Sequence, residues 1–155
     1  MGVLQGKWDG TGLKIGVVTA RFNSEITEKL ESGALTELQE LHCRDVIAVR
    51  VPGAFEIPLA AKALLDSGCD GVVALGAVIR GETSHYDYVC SAVERGCTEL
   101  QLNSGKPVAF GVLTTENEDQ ALDRAGGSFG NKGAEAAQVA VELCQLLRMI
   151  DMGKK

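Results

Sequence analysis

Gly71-Val72-Val73-Ala74-Leu75-Gly76-Ala77-Val78-Ile79-Arg80-Gly81-Glu82-Thr83-Ser84-His85-Tyr86 is the stretch on which the fold turns. From Gly71 to Ile79 it is a continuous apolar run rich in β-branched residues. It lacks the alternation of a strand wetted on one face, so it reads as a strand covered on both faces, as in a parallel sheet. The run breaks at Arg80-Gly81 and restarts with hydroxyl residues and a histidine. A helical stripe then follows at Tyr86, Val89, Val93, Cys97 and Leu100. Such a strand, turn and helix deliver free backbone amides and an imidazole to one edge of a sheet. Amides at a helix start bind an anion, and an imidazole beside them can move protons. The combination points to chemistry on a phosphorylated small molecule.

The same unit recurs on either side. Leu13 to Thr19 is a short apolar run, followed by a helix with Ile26, Leu30, Ala34, Leu38 and Leu41 on one face. Asn23 or Ser24 is its expected N-cap, and Glu25 and Glu28 suit the positive end of its dipole. Val46 to Val51 is a second strand closed by Pro52-Gly53, and a helix through Leu59, Ala63 and Leu64 ends near Gly68. Pro107 to Thr114 is a fourth strand. A short helix is expected over residues 118–125. A glycine-rich turn then leads to a last helix, capped by Asn131 and striped by Ala136, Ala140, Leu143, Leu147 and Ile150. Apolar runs alternating with helices predict an α/β protein, a flavodoxin-like three-layer α/β/α sandwich with a four-stranded parallel core sheet. Residues 1–12, with the only tryptophan (Trp8), fall outside the alternation and are expected to form an arm that pairs with a neighbouring subunit. Residues 13–155 form a single domain.

Composition narrows the field. A 155-residue chain with 45% hydrophobic and 23% charged residues is globular, one domain in size. A net charge of −6 argues against nucleic acid, whose binding leans on clustered Lys and Arg. No apolar run approaches a membrane span, and no basic region followed by an apolar block marks a secretory signal. Cys43, Cys69, Cys90, Cys97 and Cys144 form no CxxC pair and are odd in number. They read as buried thiols of a reducing, cytoplasmic setting, with neither disulfides nor a metal site.

Ligands of open parallel sheets bind beyond the carboxyl ends of the strands, and here all four ends carry distinctive residues. Phe22 can stack on a flat heterocycle or serve as an ordinary core or staple phenylalanine. Glu56, after its Pro-Gly turn, can accept from sugar-like hydroxyls or simply suit a helix start. His85 can accept and return a proton or be an ordinary surface or capping histidine. Arg80 and Glu82 can, on the plainer reading, simply pair at the surface. The Arg124-to-Gly133 segment has glycines, Arg124 and Lys132 but not the Gly-Lys-Ser/Thr of a phosphate loop, so ATP chemistry gains no support.

Five blocks in register then carry a resemblance: Ala20 to Asn23, Val51 to Glu56, Gly76 to Tyr86, Phe110 to Thr114, and Arg124-Ala125-Gly126 with Gly130 to Gly133. From Gly12 to about Leu147 the chain resembles the 6,7-dimethyl-8-ribityllumazine synthases, transferases of riboflavin biosynthesis. The resemblance implies condensation of 5-amino-6-(D-ribitylamino)uracil with 3,4-dihydroxy-2-butanone 4-phosphate, releasing phosphate and water, with no cofactor. It implies that Phe22 stacks on the uracil, Ala54, Phe55 and Glu56 hold the ribityl chain, and Ala77, Val78 and Ile79 offer backbone groups to the pyrimidine. Glu82 and Thr83 would present amides to the phosphate, with His85 as proton carrier. Phe110, Arg124 and Lys132 would come from the adjacent subunit of a homopentamer. The short turn from Gly126 to Asn131 favours pentamers that close into a 60-subunit icosahedral shell. Two rivals stay in view: a flavodoxin-like flavin-binding module, and a shell-forming protein without catalysis.

Overall fold

The computed structural model describes residues 2–153. Met1 of the expected arm and Lys154-Lys155 at the expected domain end lie outside the described residues. The order is β1 (Lys14–Ala20), α1 (Ser24–Glu40), β2 (Asp45–Val51), a single 3-10 turn (Ala54–Glu56), α2 (Ile57–Asp66), β3 (Gly71–Ile79) and α3 (His85–Ser104). It continues with β4 (Val108–Thr115), α4 (Glu118–Asp123), β5 (Ala125–Gly127), β6 (Gly130–Asn131) and α5 (Lys132–Gly153). Strands β2-β1-β3-β4 form one sheet, parallel throughout. The protein has the flavodoxin-like α/β fold that the alternation predicted.

Burial explains the order of the strands. β1 and β3 are central and almost wholly buried, as their continuous apolar runs require. β2 lies at an edge and alternates, with Asp45, Ala48 and Arg50 exposed. One core fills the space between the sheet and α1 with α5, around Ile15, Val17, Leu30, Leu38, Val73, Leu75 and Val141. The other lies under α2 and α3, around Val18, Ile57, Leu64, Val72, Val93 and Val112. Helices α1 and α5 cross so closely that a Cβ on Gly133 would run into the Leu30 carbonyl.

Several expected details change. The stripe of α1 is buried as read, but α2 buries Ile57, Ala61, Leu64 and Leu65 and leaves Leu59 and Ala63 exposed. In α5 the buried face runs through Ala136, Ala137, Ala140, Val141 and Cys144, while Leu147 and Ile150 face outward. The glycine-rich turn is a small antiparallel hairpin, β5–β6. Asn131 caps α5 as expected, its Oδ1 accepting from the Ala134 amide at 3.0 Å. Four cysteines are buried and Cys90 is half-buried, all of them free. Burial pushes the Cys97 thiol up to about 11 and the Cys144 thiol up to about 12, so both are inert at neutral pH.

Residues 2–12 are irregular. Gly10 donates to the Leu41 carbonyl at 2.6 Å, and Trp8 Nε1 donates to Glu142 Oε1 at 2.7 Å. Gln145 of α5 donates to the Asp9 carbonyl. The segment from Gly6 to Gly10 thus lies along α5 of its own chain, whereas Val3 and Leu4 are exposed.

Helix α1 ends in a Schellman motif, with His42 donating to the Gln39 carbonyl (3.1 Å) and Cys43 to that of Leu38 (2.9 Å). The residue in the left-handed position is His42, at φ 63°, where glycine fits without strain. His42→Gly should therefore raise stability by roughly 0.5–1 kcal/mol, or a few degrees in Tm at fixed protomer concentration. A lower Tm for the variant would show that His42 makes compensating contacts.

Candidate active site

The β1–β3 ladder ends at Thr19–Leu75, and β3 then continues to Ile79 beside β4 alone. Helix α1 leaves β1 on one face of the sheet and α3 leaves β3 on the other, so a crevice opens between them. That is the switch point where ligands of such sheets bind. The crevice here has a volume of about 660 Å³, enough for two small substrates. Phe22, Ala54, Phe55, Glu56, Ala77, Val78, Ile79, Thr83 and His85 all line it. Four elements of the sequence reading therefore meet in one place. A second hollow of about 610 Å³ lies at the amino ends of the strands, beside Leu13, His42 and Asp45, and holds none of the candidate residues.

Each wall has a local cause. Phe22 follows β1, its amide bonded to the Pro52 carbonyl at 3.0 Å, and its ring is 72% exposed, so it is not a core residue. Phe55 is 65% exposed on the 3-10 turn across the mouth. Asn23 is the N-cap residue of α1, its carbonyl accepting from the Ile26 and Thr27 amides at 2.9 and 3.0 Å. It adopts a left-handed conformation that asparagine tolerates, and its side chain makes no capping bond but donates through Nδ2 to the Ala77 carbonyl at 2.8 Å. It thereby ties the Phe22 turn to β3. Ser24, the other expected cap, is the first residue of that helix.

On the far wall, residues 80–84 turn into α3. Among the described residues nothing accepts a hydrogen bond from the amides of Gly81, Glu82, Thr83 or Ser84, while the His85 amide donates to Thr83 Oγ1 at 3.3 Å. Unpaired amides at the start of a long helix form an anion site, and the His85 side chain shares that first turn. Glu82 lies on this turn and its side chain does not line the crevice. The plainer reading of Arg80, a surface pair with Glu82, does not hold. Arg80 reaches Glu116 at 2.8 Å and Asp87 at 3.5 Å and lies over the Tyr86 ring, 4.3 Å from its centroid. These contacts brace the turn from behind. Burial lifts the Tyr86 phenol above its ordinary range, and Tyr86 lines the crevice with Val89 and Pro52. Neither Tyr86 nor Val89 is among the residues that the sequence assigns to the site: Val89 reads as helix stripe, and Tyr86 as stripe and as the end of the Gly76-to-Tyr86 block. Their position just after His85 on a helix starting at the crevice was the available signal.

Phe110, Arg124 and Lys132 stand apart from this crevice. Phe110 is 44% exposed on β4, the edge strand opposite β2. Arg124 follows α4, donates to the Gln120 carbonyl at 2.9 Å and stacks on Phe129 at 4.6 Å. Lys132 opens α5 and pairs with Glu135 at 3.3 Å. No group of three or more His, Cys, Asp or Glu among the described residues could hold a metal ion. No helix among them is long and apolar enough to cross a membrane.

Fold and crevice define an α/β protein that sets a turn of unpaired amides beside an imidazole and an exposed aromatic ring, at the place where open parallel sheets take small molecules. Residues 12–148 match the family described as 6,7-dimethyl-8-ribityllumazine synthase. A Bdellovibrio bacteriovorus protein of that same name is 60% identical over 143 residues, covering 92% of this chain and 80% of that protein. The chain belongs to the 6,7-dimethyl-8-ribityllumazine synthase family, transferases of riboflavin biosynthesis.

Proposed function

We propose that this chain condenses 5-amino-6-(D-ribitylamino)uracil with 3,4-dihydroxy-2-butanone 4-phosphate, giving 6,7-dimethyl-8-ribityllumazine, phosphate and water. One observation carries the reading: the unpaired amides of the 81–84 turn and the His85 side chain share a crevice with Phe22 and Glu56. Phe22 stacks on the uracil, and Ala54, Phe55 and Glu56 hold the ribityl chain. Ala77, Val78 and Ile79, where β3 has outrun β1, offer backbone groups to the pyrimidine. The Glu82 and Thr83 amides take the phosphate, and the Glu82 carboxylate, exposed, turns to solvent. The substrate amine is the nucleophile, so no activated Ser or Cys is needed. His85 accepts and returns protons as water and phosphate leave, and holding both substrates in place supplies much of the acceleration. The reaction asks for no metal and no organic cofactor.

Phe110, Arg124 and Lys132 belong, in this reading, to the site of the adjacent subunit, with Arg124 on the phosphate. They sit at or beyond β4, whereas the crevice lies toward β1 and β2. A head-to-tail ring brings one flank against the other. Exposed Leu59, Tyr88, Leu102 and Phe129 give such a ring apolar surface to bury. Of the arm expected over residues 1–12, the part before Gly6 adds a strand to a neighbour, for which Val3 and Leu4 are exposed and the β2 edge is unpaired, while Gly6 to Gly10 stay on α5 of their own chain. Residues 13–155 are the single domain, homopentamers close into an icosahedral shell, and the setting is cytoplasmic.

Mixing the two substrates with purified protein should produce the fluorescence of the lumazine product, unchanged after dialysis against a strong chelator. A protein that binds flavin or assembles but yields no product would overturn the reading.

A further inference from the structure

Immediately after α4 the backbone turns into the β5–β6 hairpin, whose two linking residues are Ser128 and Phe129. Gly126 and Gly130 take left-handed conformations, at φ 105° and 77°, which side chains disfavour. Gly127 lies so close to the end of α4 that a Cβ there would stand 2.7 Å from Asp123 Cα. Two amides then pin the hairpin onto that end. Phe129 donates to the Asp123 carbonyl at 2.8 Å, and Lys132 to the Arg124 carbonyl at 2.9 Å. The fold of the hairpin thereby sets the Phe129 ring against the Arg124 guanidinium, 4.6 Å from Cζ to the ring centroid.

A long arginine side chain samples many rotamers, and ordering it on a ligand costs free energy. Here two contacts order it in advance. The Gln120 carbonyl accepts from Nη1 at 2.9 Å, and the ring holds the plane of the guanidinium by a cation–π contact. Among the described residues Nε and Nη2 donate to nothing, so the side edge of the fork is open to the paired oxygens of an anion. Phe129 itself is 60% exposed and belongs to neither core, so packing the fold does not call for a ring there. We propose that Phe129 is a positioning residue for the phosphorylated substrate, holding Arg124 in the orientation in which its guanidinium meets the phosphate in the adjacent subunit's site. The inference rests on the reading that gives Arg124 to the phosphate, and adds that an aromatic face beneath the guanidinium sets part of the affinity.

Phe129→Leu keeps the apolar bulk and removes the ring face. In the assembled protein it should raise KM for the phosphorylated substrate about two- to fivefold, with kcat and KM for the pyrimidine near the parent values. Phe129→Tyr, which keeps the face, should restore the parent KM. A ring that merely filled an interface would behave otherwise. Leucine would then serve as well as phenylalanine, or Tm, sedimentation and both KM values would shift together. Either pattern overturns the proposal. In an Arg124→Ala background Phe129→Leu should add nothing, since the group it orients is gone, and an additive loss also overturns it. Arg124→Ala alone separates this inference from the reading beneath it. If that change raises KM for the phosphorylated substrate while Phe129→Leu does not, Arg124 holds the phosphate unaided and only the positioning role falls. If Arg124→Ala leaves that KM unchanged, the assignment of Arg124 to the phosphate falls, and the positioning role falls with it.

Discussion

Refolding an equal mixture of Phe22→Ala and Arg124→Ala subunits should restore about a quarter of wild-type activity, although neither variant does so alone. Each single change is expected to be severe. On the proposed reading, Phe22→Ala loses a ring stacked on the heterocycle, about 1–3 kcal/mol, and Arg124→Ala a charge-assisted contact to phosphate, about 1.5–3 kcal/mol. At the upper end, about 3 kcal/mol, either is a factor of roughly 150 in kcat/KM, which leaves each parent nearly inactive alone. If Phe22 serves the site of its own chain while Arg124 reaches into the next, the two defects lie on opposite faces of a head-to-tail interface. In a random mixture, half of the subunits supply an intact Phe22, and half of their neighbours supply an intact Arg124. About a quarter of the interfaces then carry a complete site. The motive is geometric as well as familial. Phe22 lines the crevice, whereas Arg124 lies beyond β4, engaged by the Gln120 carbonyl and the Phe129 ring. Activity no higher than the mean of the two parents, in rings verified to be mixed, would put both residues in one subunit's site.

The sheet was legible because its signal is local and repeated. Strands buried on both faces must be continuously apolar, and β1 and β3 are. The crevice was legible for a related reason: parallel strands align their carboxyl ends, so residues following β1, β2 and β3 had to meet there. What escaped was orientation. Asn23 stands where a helix cap belongs, but the left-handed turn swings its amide to Ala77, a partner distant in sequence. Leu59 and Leu147 fall on helical spacing, yet a few degrees of rotation carried along a helix decide which side meets the sheet. Arg80 chose Glu116 over nearby Glu82 because β4 runs parallel beside β3 and delivers Glu116 to the same edge. Such choices depend on tertiary placement, and no local pattern records them.

His85→Ala should slow turnover by about 10²–10⁴-fold and leave a measurable rate. On the proposed reading, the loss is that of a positioned proton carrier. The remainder is the advantage of holding two substrates together, which this change does not touch. His85 begins α3, and its own amide is turned onto Thr83 Oγ1, so the anion-binding turn does not depend on the imidazole. KM for the phosphorylated substrate should therefore change little while kcat falls. The side chain is exposed, and its removal opens no core cavity, so Tm should move by less than about 0.5 kcal/mol implies. A proton carrier also leaves a signature that a merely structural residue does not. The pH profile of kcat should lose one limb in the variant, flattening where the parent enzyme titrates. A His85→Ala protein that folds and turns over at the parent rate would remove His85 from the chemistry. A loss confined to KM would instead make it part of the phosphate site.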